Sequence, residues 1–208
     1  MRPISGKLGG LGLHLEPGMR VGLFGGSFNP AHEGHVHVAR TALRRLRLDR
    51  VIWLVSPQNP LKPDLAAPLA ERMAGARRVA RGPGMIVSDA EARLGTQYTL
   101  DTVRALKARF PRVKFVWVMG ADSLAAFHRW RGWTAILREL PAVVVSRPGV
   151  GQKARLSPAA RRFAHARWPA ARAAGLPGAA PPAWALLRGP FHFASSTALR
   201  EQARPAAS

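Results

Sequence analysis

Short apolar runs alternate with amphipathic segments along most of this chain, and the spacing of the apolar residues predicts the elements. Residues 20–25 form the first apolar run, and apolar residues then recur at helical spacing across residues 38–46. This pattern predicts a strand, a tight loop and a helix as the opening unit. Three later apolar runs predict further strands at residues 51–56, 113–119 and 142–146.

The segments between these runs predict the helices and two shorter strands. Helices are expected at residues 69–80, 99–110 and 159–168, and short strands at residues 85–87 and 184–187. Thr99 is the predicted N-cap of the second of these helices, and Pro111 ends it. The regular alternation of strands and helices predicts an α/β fold with a parallel, doubly wound sheet and right-handed crossovers.

The glycine and proline content suggests a leader followed by a single domain. Residues 1–18 contain Gly9, Gly10 and Gly12 and no continuous apolar run, so we expect a flexible N-terminal leader and not a signal peptide. One domain is expected from residue 19 to residue 208. Within it, residues 148–182 are rich in Ala, Arg, Gly and Pro, and we expect a variable insertion or a loosely ordered flank there.

Several classes of protein are excluded by what the chain lacks. The longest uncharged run, residues 173–187, is too short for a membrane span and is interrupted by prolines, so a cytoplasmic protein is expected. The 208 residues include no cysteine, which excludes a disulfide framework, a thiolate zinc site and a thiol nucleophile. No metal-binding cluster of residues is predicted.

The charge is strongly positive, with 32 Lys and Arg against 11 Asp and Glu and a net charge of +21. Such a charge suits a nucleic-acid-binding protein or a protein with phosphate-bearing partners. The excess is almost entirely arginine and accompanies abundant Ala, Pro and Gly, so a compositional bias explains it equally well. The charge alone therefore does not identify a partner.

The loop between the first strand and the first helix carries the first candidate chemistry. Its sequence is Gly25-Gly26-Ser27-Phe28-Asn29-Pro30-Ala31-His32-Glu33-Gly34-His35. A loop at the carboxyl end of a strand, next to a helix N-terminus, supplies free backbone N–H groups to a phosphate. His32 and His35 are three residues apart, so both imidazoles can donate hydrogen bonds to phosphoryl oxygens in the same cleft. Capping, packing or a metal site are the alternatives for these histidines.

This loop resembles the G-x-F-x-P-x-H-x-G-H signature of the nucleotidyltransferase superfamily, in which the motif binds the phosphates of ATP. The resemblance implies an ATP site that includes Gly25, Gly26, Ser27, Phe28, His32, Gly34 and His35.

A second candidate site follows the last predicted strand. Ser195 or Ser196 can cap a short helix, and Arg200 lies one turn inside it, where its guanidinium could reach a phosphate. Alone, this is an ordinary capped helix with a surface arginine. It also resembles the I-S-S-T-x-I-R element of nucleotidyltransferases, which implies that these three residues bind ATP.

The middle of the chain carries a candidate acceptor site. Asp122 follows the strand at residues 113–119 and could bond a ribose hydroxyl or cap the next helix. Trp130 could stack on a flat heterocycle or belong to the core. This region resembles the G-x-D-S-L…F-x-x-W-x-x-W segment of the nicotinate-nucleotide adenylyltransferase family, and residues 97–102 resemble its Y-T-L-D-T-L element. The resemblance implies that Tyr98, Thr99, Asp122 and Trp130 bind nicotinate mononucleotide.

One loop departs from the family pattern. The family often has P-P-H-K, whereas this chain has Asn59-Pro60-Leu61-Lys62, so only the lysine matches. The resemblance implies that Lys62 reaches phosphate as a mobile point charge.

The resemblance implies adenylyl transfer from ATP to nicotinate mononucleotide, which gives nicotinate adenine dinucleotide and pyrophosphate in NAD biosynthesis. His32, His35, Lys62 and Arg200 are then the expected catalytic residues, and Mg²⁺ enters bound to ATP. The alternatives are an adenylyltransferase that acts on nicotinamide mononucleotide or another phosphorylated acceptor, and a basic nucleic-acid-binding protein. A homo-oligomer is possible under any of these functions.

Overall fold

The computed structural model describes residues 10–57, 67–146 and 154–188 of the chain. These residues form seven parallel strands: β1 (Arg20–Gly26), β2 (Arg50–Val55), β3 (Met85–Ser88), β4 (Lys114–Gly120), β5 (Ala142–Ser146), β6 (Arg167–Trp168) and β7 (Trp184–Arg188). The strand order across the sheet is β3-β2-β1-β4-β5-β7-β6. The predicted α/β fold with a doubly wound parallel sheet is therefore confirmed.

Helices cover both faces of the sheet. They are α1 (Glu33–Arg45), α2 (Leu69–Val79), α3 (Ala90–Leu94), α4 (Thr99–Arg109), α5 (Ala121–Ala126), α6 (Trp133–Glu139) and α7 (Pro158–Arg162), with 3₁₀ turns at Phe127–Arg129, Ala164–Ala166 and Ala170–Gly178. No helix within the described ranges combines the length and the apolar character that crossing a membrane requires.

The central strands are mostly apolar because they bury both of their faces. In β4, Val116 and Val118 pack on the side of α1 and α2, whereas Phe115, Trp117 and Met119 pack on the side of α4, α5 and α6. All five are at most 5% exposed. The sheet is thus a rigid middle layer, and its strand ends are fixed in position relative to one another.

The predicted helix at residues 159–168 is wrong in its second half. The helix α7 ends at Arg162, and Arg167 and Trp168 instead form the edge strand β6, which pairs with Trp184 and Ala185 of β7. The indole Nε1 of Trp184 also donates to the carbonyl oxygen of Phe163 at 2.7 Å. The alanine-rich local sequence favours a continued helix. The pairing of β6 with β7 and this buried hydrogen bond instead stabilise the 3₁₀ turn at Ala164–Ala166.

Two expectations of loose structure are also wrong for the residues that the structure describes. Leu11 and Leu13 are 5% and 8% exposed and join the core, so residues 10–18 are packed and are not a flexible leader. Residues 154–182 are not a loosely ordered flank, since Phe163 and Leu176 are buried on opposite faces of the sheet. Whether this region varies among relatives stays a prediction.

The direction of winding reverses between β1 and β4. From β1 the chain proceeds through β2 to β3 on one side, and then returns to place β4 on the other side of β1. In open α/β sheets, ligands bind outside the carboxyl ends of the strands at such a switch point. We therefore expect the ligand-binding site in the loops that follow β1 and β4.

Candidate active site

Two glycines end β1 at this switch point, and the packing explains both. A Cβ on Gly25 would lie 2.6 Å from Cη2 of Trp117 in the neighbouring strand β4. A Cβ on Gly26 would lie 3.2 Å from Cζ of Phe28. These glycines therefore let an indole and a phenyl ring pack directly against the backbone at the end of β1.

The next residues form a tight, aromatic-lined loop. Phe28 has a φ of 48°, in the left-handed region that a bulky residue rarely adopts. Its ring is 2% exposed and lies 5.0 Å from the ring of Trp53 and 5.1 Å from the ring of His35, measured between centroids. Burial of this ring holds the loop in its strained conformation and supports one side of the His35 imidazole.

His32 and His35 begin α1 with a reciprocal pair of capping hydrogen bonds. The backbone N–H of Gly34 donates to Nδ1 of His32 at 3.0 Å, and the backbone N–H of His32 donates to Nδ1 of His35 at 3.2 Å. The ring centroids are 3.9 Å apart. The geometry is that of a capping box in which two imidazoles replace the usual hydroxyl and carboxylate.

These two bonds determine which nitrogen of each ring is a donor. An imidazole whose Nδ1 accepts a hydrogen bond carries its proton on Nε2 when it is neutral. Each neutral ring therefore carries its proton on Nε2, at the N-terminus of a 13-residue helix. The helix dipole favours negative charge at the same place, so the arrangement can stabilise anionic oxygens. Capping and phosphate binding, which the sequence left as alternatives, are compatible because they use different nitrogens.

Arg72 lies behind this loop, and the sequence analysis missed it. It is 4% exposed, and its guanidinium donates to the carbonyl oxygens of Ser27 (2.9 Å), Ser56 (2.6 Å), Pro57 (2.8 Å) and Ala67 (2.7 Å). Removal from water lowers the pKa of the guanidinium. One arginine on an amphipathic helix of an arginine-rich chain gives no signal of such a role.

Glu91 on α3 was also missed. It is 6% exposed, and burial raises the pKa of its carboxyl to about 7, although hydrogen bonds from the side chains of Ser56 and Thr102 oppose that rise. The sequence gives little signal of this burial, because Glu91 is flanked by two alanines but lies between Asp89 and Arg93. Ser56 is a neighbour of both Arg72 and Glu91, through its carbonyl oxygen and its hydroxyl respectively.

The predicted acceptor residues follow β4 and begin α4. Tyr98 is the N-cap residue of α4, although its side chain makes no capping hydrogen bond. The prediction that Thr99 caps this helix is therefore wrong by one residue. The guanidinium carbon of Arg131 lies 4.4 Å from the centroid of the Tyr98 ring. A Cβ on Gly132 would lie 2.8 Å from Cδ2 of Leu100, so the loop before α6 packs closely on the first turn of α4.

Asp122 and Trp130 occupy different environments. Asp122 is exposed in the first turn of α5, whose N-cap is Gly120, so Asp122 is not the cap. Trp130 is half-buried against the core, with its ring centroid 6.1 Å from that of Trp117 and 5.2 Å from that of Phe127. The Trp117 ring therefore lies between Gly25 and Trp130. The loop at residues 25–35, called the histidine loop below, and the predicted acceptor residues thus lie at the same end of the sheet, where the strands β1 and β4 end.

Four predicted site residues lie outside the described residues: Lys62, Ser195, Ser196 and Arg200. Within the described ranges, no three His, Asp or Glu side chains gather into a metal-binding group.

Comparisons with known proteins identify the family of this chain. Residues 23–202 match the family model described as cytidylyltransferase-like. A protein of Caulobacter sp. (strain K31), described as a probable nicotinate-nucleotide adenylyltransferase, is 73% identical over 183 residues, which cover 88% of this chain and 97% of the relative. A protein of Cereibacter sphaeroides (strain ATCC 17025 / ATH 2.4.3) with the same description is 56% identical and covers 89% and 99% of the two chains.

The fold is shared with a solved structure of low sequence identity. The nicotinic acid mononucleotide adenylyltransferase of Plasmodium falciparum, complexed with NaAD, superposes with a TM-score of 0.66 at 14% identity over 87% of this chain and 82% of that chain.

The fold and the matching family model define a nucleotidyltransferase of the cytidylyltransferase-like class. The predicted superfamily is thus confirmed. Within this class, the chain belongs to the nicotinate-nucleotide adenylyltransferase family.

Proposed function

We propose that this protein transfers the adenylyl group of ATP to nicotinate mononucleotide, forming nicotinate adenine dinucleotide and pyrophosphate in NAD biosynthesis. The observation that carries the proposal is the pair of backbone hydrogen bonds to Nδ1 of His32 and His35 at the N-terminus of α1, at the switch point of the sheet, which assigns the proton of each neutral ring to Nε2. Membership of the nicotinate-nucleotide adenylyltransferase family supports the choice of acceptor.

The reaction needs no covalent enzyme intermediate. A phosphate oxygen of nicotinate mononucleotide attacks the α-phosphorus of ATP and forms a new P–O bond. The bond between the α-phosphorus and the oxygen that bridges to the β-phosphate breaks, and its electron pair leaves with pyrophosphate. The nucleophile is already an anion, so the protein contributes in-line positioning and stabilisation of charge.

The histidine loop is the proposed site of the ATP phosphates. His35 donates from Nε2 to the α-phosphate, and His32 donates beside it. Gly25, Gly26 and Gly34 allow the backbone to approach ATP closely, and Ser27 and Phe28 complete this side of the site. Lys62, Ser195, Ser196 and Arg200 are the proposed ligands of the β- and γ-phosphates, on the resemblance alone.

Nicotinate mononucleotide, the acceptor, binds beside ATP at the carboxyl ends of the same strands. Tyr98, Thr99, Asp122 and Trp130 form the proposed pocket for nicotinate mononucleotide. The Tyr98 and Trp130 rings offer flat surfaces to the pyridine ring, and Asp122 can accept a hydrogen bond from a ribose hydroxyl. The ring of Trp117, between Gly25 and Trp130, sets the spacing between the two substrates.

A divalent cation accompanies ATP as part of the substrate, and we propose that it is Mg²⁺. Mg²⁺ prefers oxygen ligands and keeps several bound waters. Oxygens of the triphosphate and water can therefore complete its coordination without ligands from the protein. The two histidines at the site are nitrogen donors and suit phosphate oxygens better than Mg²⁺. We further propose a cytoplasmic enzyme with a single domain, small-molecule substrates and a possible homo-oligomeric state.

The experiment measures pyrophosphate release with ATP and Mg²⁺, with nicotinate mononucleotide and nicotinamide mononucleotide compared over matched concentrations. We expect kcat/KM to favour the acid at least about tenfold, which corresponds to about 1.4 kcal/mol of transition-state binding. Equal rates would replace the proposal with a dual-specificity enzyme. Release with neither acceptor would contradict it and direct the search to other phosphorylated acceptors and to nucleic acid.

A further inference from the structure

A buried polar network runs from the loop that follows β1 to the start of α4, and its four side chains are not among the residues proposed to contact the substrates. It begins at Arg72, whose guanidinium holds the carbonyl oxygens of Ser27 in the histidine loop and of Ser56 at the end of β2. A single buried side chain thus fixes the distance between the loops that follow two adjacent strands. Arg72 has four carbonyl partners in all, which matches the fork of a guanidinium.

The network continues from Ser56 to α3. Hydrogen bonding by the side chains of Ser56 and Thr102 lowers the pKa of the Glu91 carboxyl, and the backbone N–H and hydroxyl of Thr96 donate to the Glu91 carbonyl oxygen at 3.0 and 3.4 Å. Thr102 is fully buried on α4, and its hydroxyl lies 2.7 Å from that of Thr96 and 3.3 Å from the carbonyl oxygen of Tyr98. Each polar group therefore has a partner, as a buried network requires to be stable.

The two ends of this network coincide with the two proposed substrates. Ser27 directly precedes the strained residue Phe28, which packs on His35. Tyr98 begins α4 and, with Thr99, belongs to the proposed acceptor pocket. We propose that Arg72, Ser56, Glu91 and Thr102 position the histidine loop relative to the start of α4, and so align ATP with its acceptor. The identity of the acceptor rests on the proposed function, whereas the coupling of the two segments does not.

The first test needs no substrate. Thr102→Val removes the hydroxyl while the β-branched shape stays, and we expect amide hydrogen exchange to become at least about threefold faster in residues 24–35, across the sheet from the substitution. Thr41→Val is the matched control, because the Thr41 hydroxyl is buried on α1 without a hydrogen-bond partner among the described residues. The control should leave exchange in residues 24–35 unchanged. Exchange that rises only in α3 and α4 would overturn the proposal.

The second test separates positioning from stability. ATP and nicotinate mononucleotide each contact one half of the site, whereas the dinucleotide product spans both halves. In Glu91→Gln and Thr102→Val, we expect binding of the dinucleotide to weaken at least about tenfold, while binding of either substrate alone changes less than about twofold. A merely destabilised protein would lose affinity for all three ligands alike, and that result would contradict a positioning role.

A further pair of variants examines Arg72 itself. Arg72→Lys keeps the positive charge but replaces the planar guanidinium and its several N–H donors by a single ammonium group. We expect kcat to fall at least about tenfold with little change in the KM of either substrate. Arg104→Lys, which alters an exposed ion pair with Glu139, is the control. If Arg72→Lys fails to fold, the exchange test on Thr102→Val still decides the proposal. A wild-type protein without activity on nicotinate mononucleotide would contradict the proposed function and leave the exchange result valid.

Discussion

His32 and His35 each use their two ring nitrogens for different purposes. Nδ1 of each ring accepts a backbone hydrogen bond that begins α1, and in the proposed mechanism Nε2–H donates to phosphate. Asparagine at the first position and glutamine at the second can accept similar capping bonds. The two purposes can therefore be separated by substitution.

We predict that His35→Gln and His32→Asn keep the fold and lose catalysis. Each variant retains an acceptor for the capping bond, so the melting temperature should change by only a few degrees, about 1 kcal/mol or less. When its oxygen accepts the capping bond, the side-chain amide has no N–H at the position of the imidazole Nε2–H, so kcat should fall at least about a hundredfold. Pyrophosphate release and thermal denaturation measure the two effects. His165→Gln, an exposed histidine near the sheet edge, is the control, and near-normal turnover in His35→Gln would remove that residue from the mechanism.

We predict that Glu91 makes the protein less stable as the pH rises. The pKa of its carboxyl is about 7 in the folded protein, against 4.5 as its ordinary value, so the folded state binds more protons between these two values. The free energy of unfolding should therefore fall from pH 4.5 to pH 7, by about 3 kcal/mol from this group, and level off above it.

Glu91→Gln should abolish that part of the decline, which denaturant titrations at several pH values would detect. Glu139→Gln is the control, because hydrogen bonds from Lys107 and Arg104 lower the pKa of Glu139 and its contribution has the opposite sign. An equal pH dependence in wild type and Glu91→Gln would contradict the prediction.

At the scale of elements, the end of β1 depends on the packing of one indole ring. We predict that Gly25→Ala destabilises the protein by about 1–3 kcal/mol, because the added methyl group would meet the Trp117 ring of β4. Gly75→Ala is the matched control. It lies in α2 with only the end of the Arg78 side chain nearby, at 3.5 Å, so alanine there should stabilise the helix by about 0.5–1 kcal/mol. Chemical denaturation of both variants gives the comparison, and equal stabilities would refute the packing argument.

The elements that the sequence predicted best are those whose pattern is local. The strand at residues 142–146 is observed with the predicted bounds because five buried residues in succession leave few alternatives. The edge strand β6 was missed because its two residues depend on pairing with β7, a contact between distant parts of the chain. The histidine loop was found by its motif, whereas Arg72 and Glu91 were not, since several of their partners lie in other elements of the fold.

At the scale of the whole molecule, the net charge of +21 is poorly neutralised within the fold. Three ion pairs are formed by the described side chains: Arg93–Asp89, Arg104–Glu139 and Lys107–Glu139. Most arginines therefore contribute to a positive field around the protein. Such a field attracts polyanionic substrates over a distance that salt shortens.

We predict that kcat/KM for ATP falls severalfold when KCl increases from about 0.05 M to about 0.3 M, while kcat stays nearly constant. The reason is that screening weakens the attraction of free ATP and leaves the bound complex unaffected. Steady-state kinetics at several salt concentrations, with Mg²⁺ in fixed excess, measure the effect. A constant kcat/KM would show that the excess arginine does not steer substrate and would favour the compositional explanation.

The shared use of each imidazole also has an evolutionary consequence. A descendant of this protein that no longer needed catalysis would still need α1 to begin where it does, and asparagine and glutamine meet that need without an imidazole. Inactive members of such a lineage should therefore retain the glycines at the end of β1 and the buried aromatic loop while asparagine and glutamine replace the two histidines. That pattern would distinguish a catalytically inactive homologue from an active enzyme by its sequence alone.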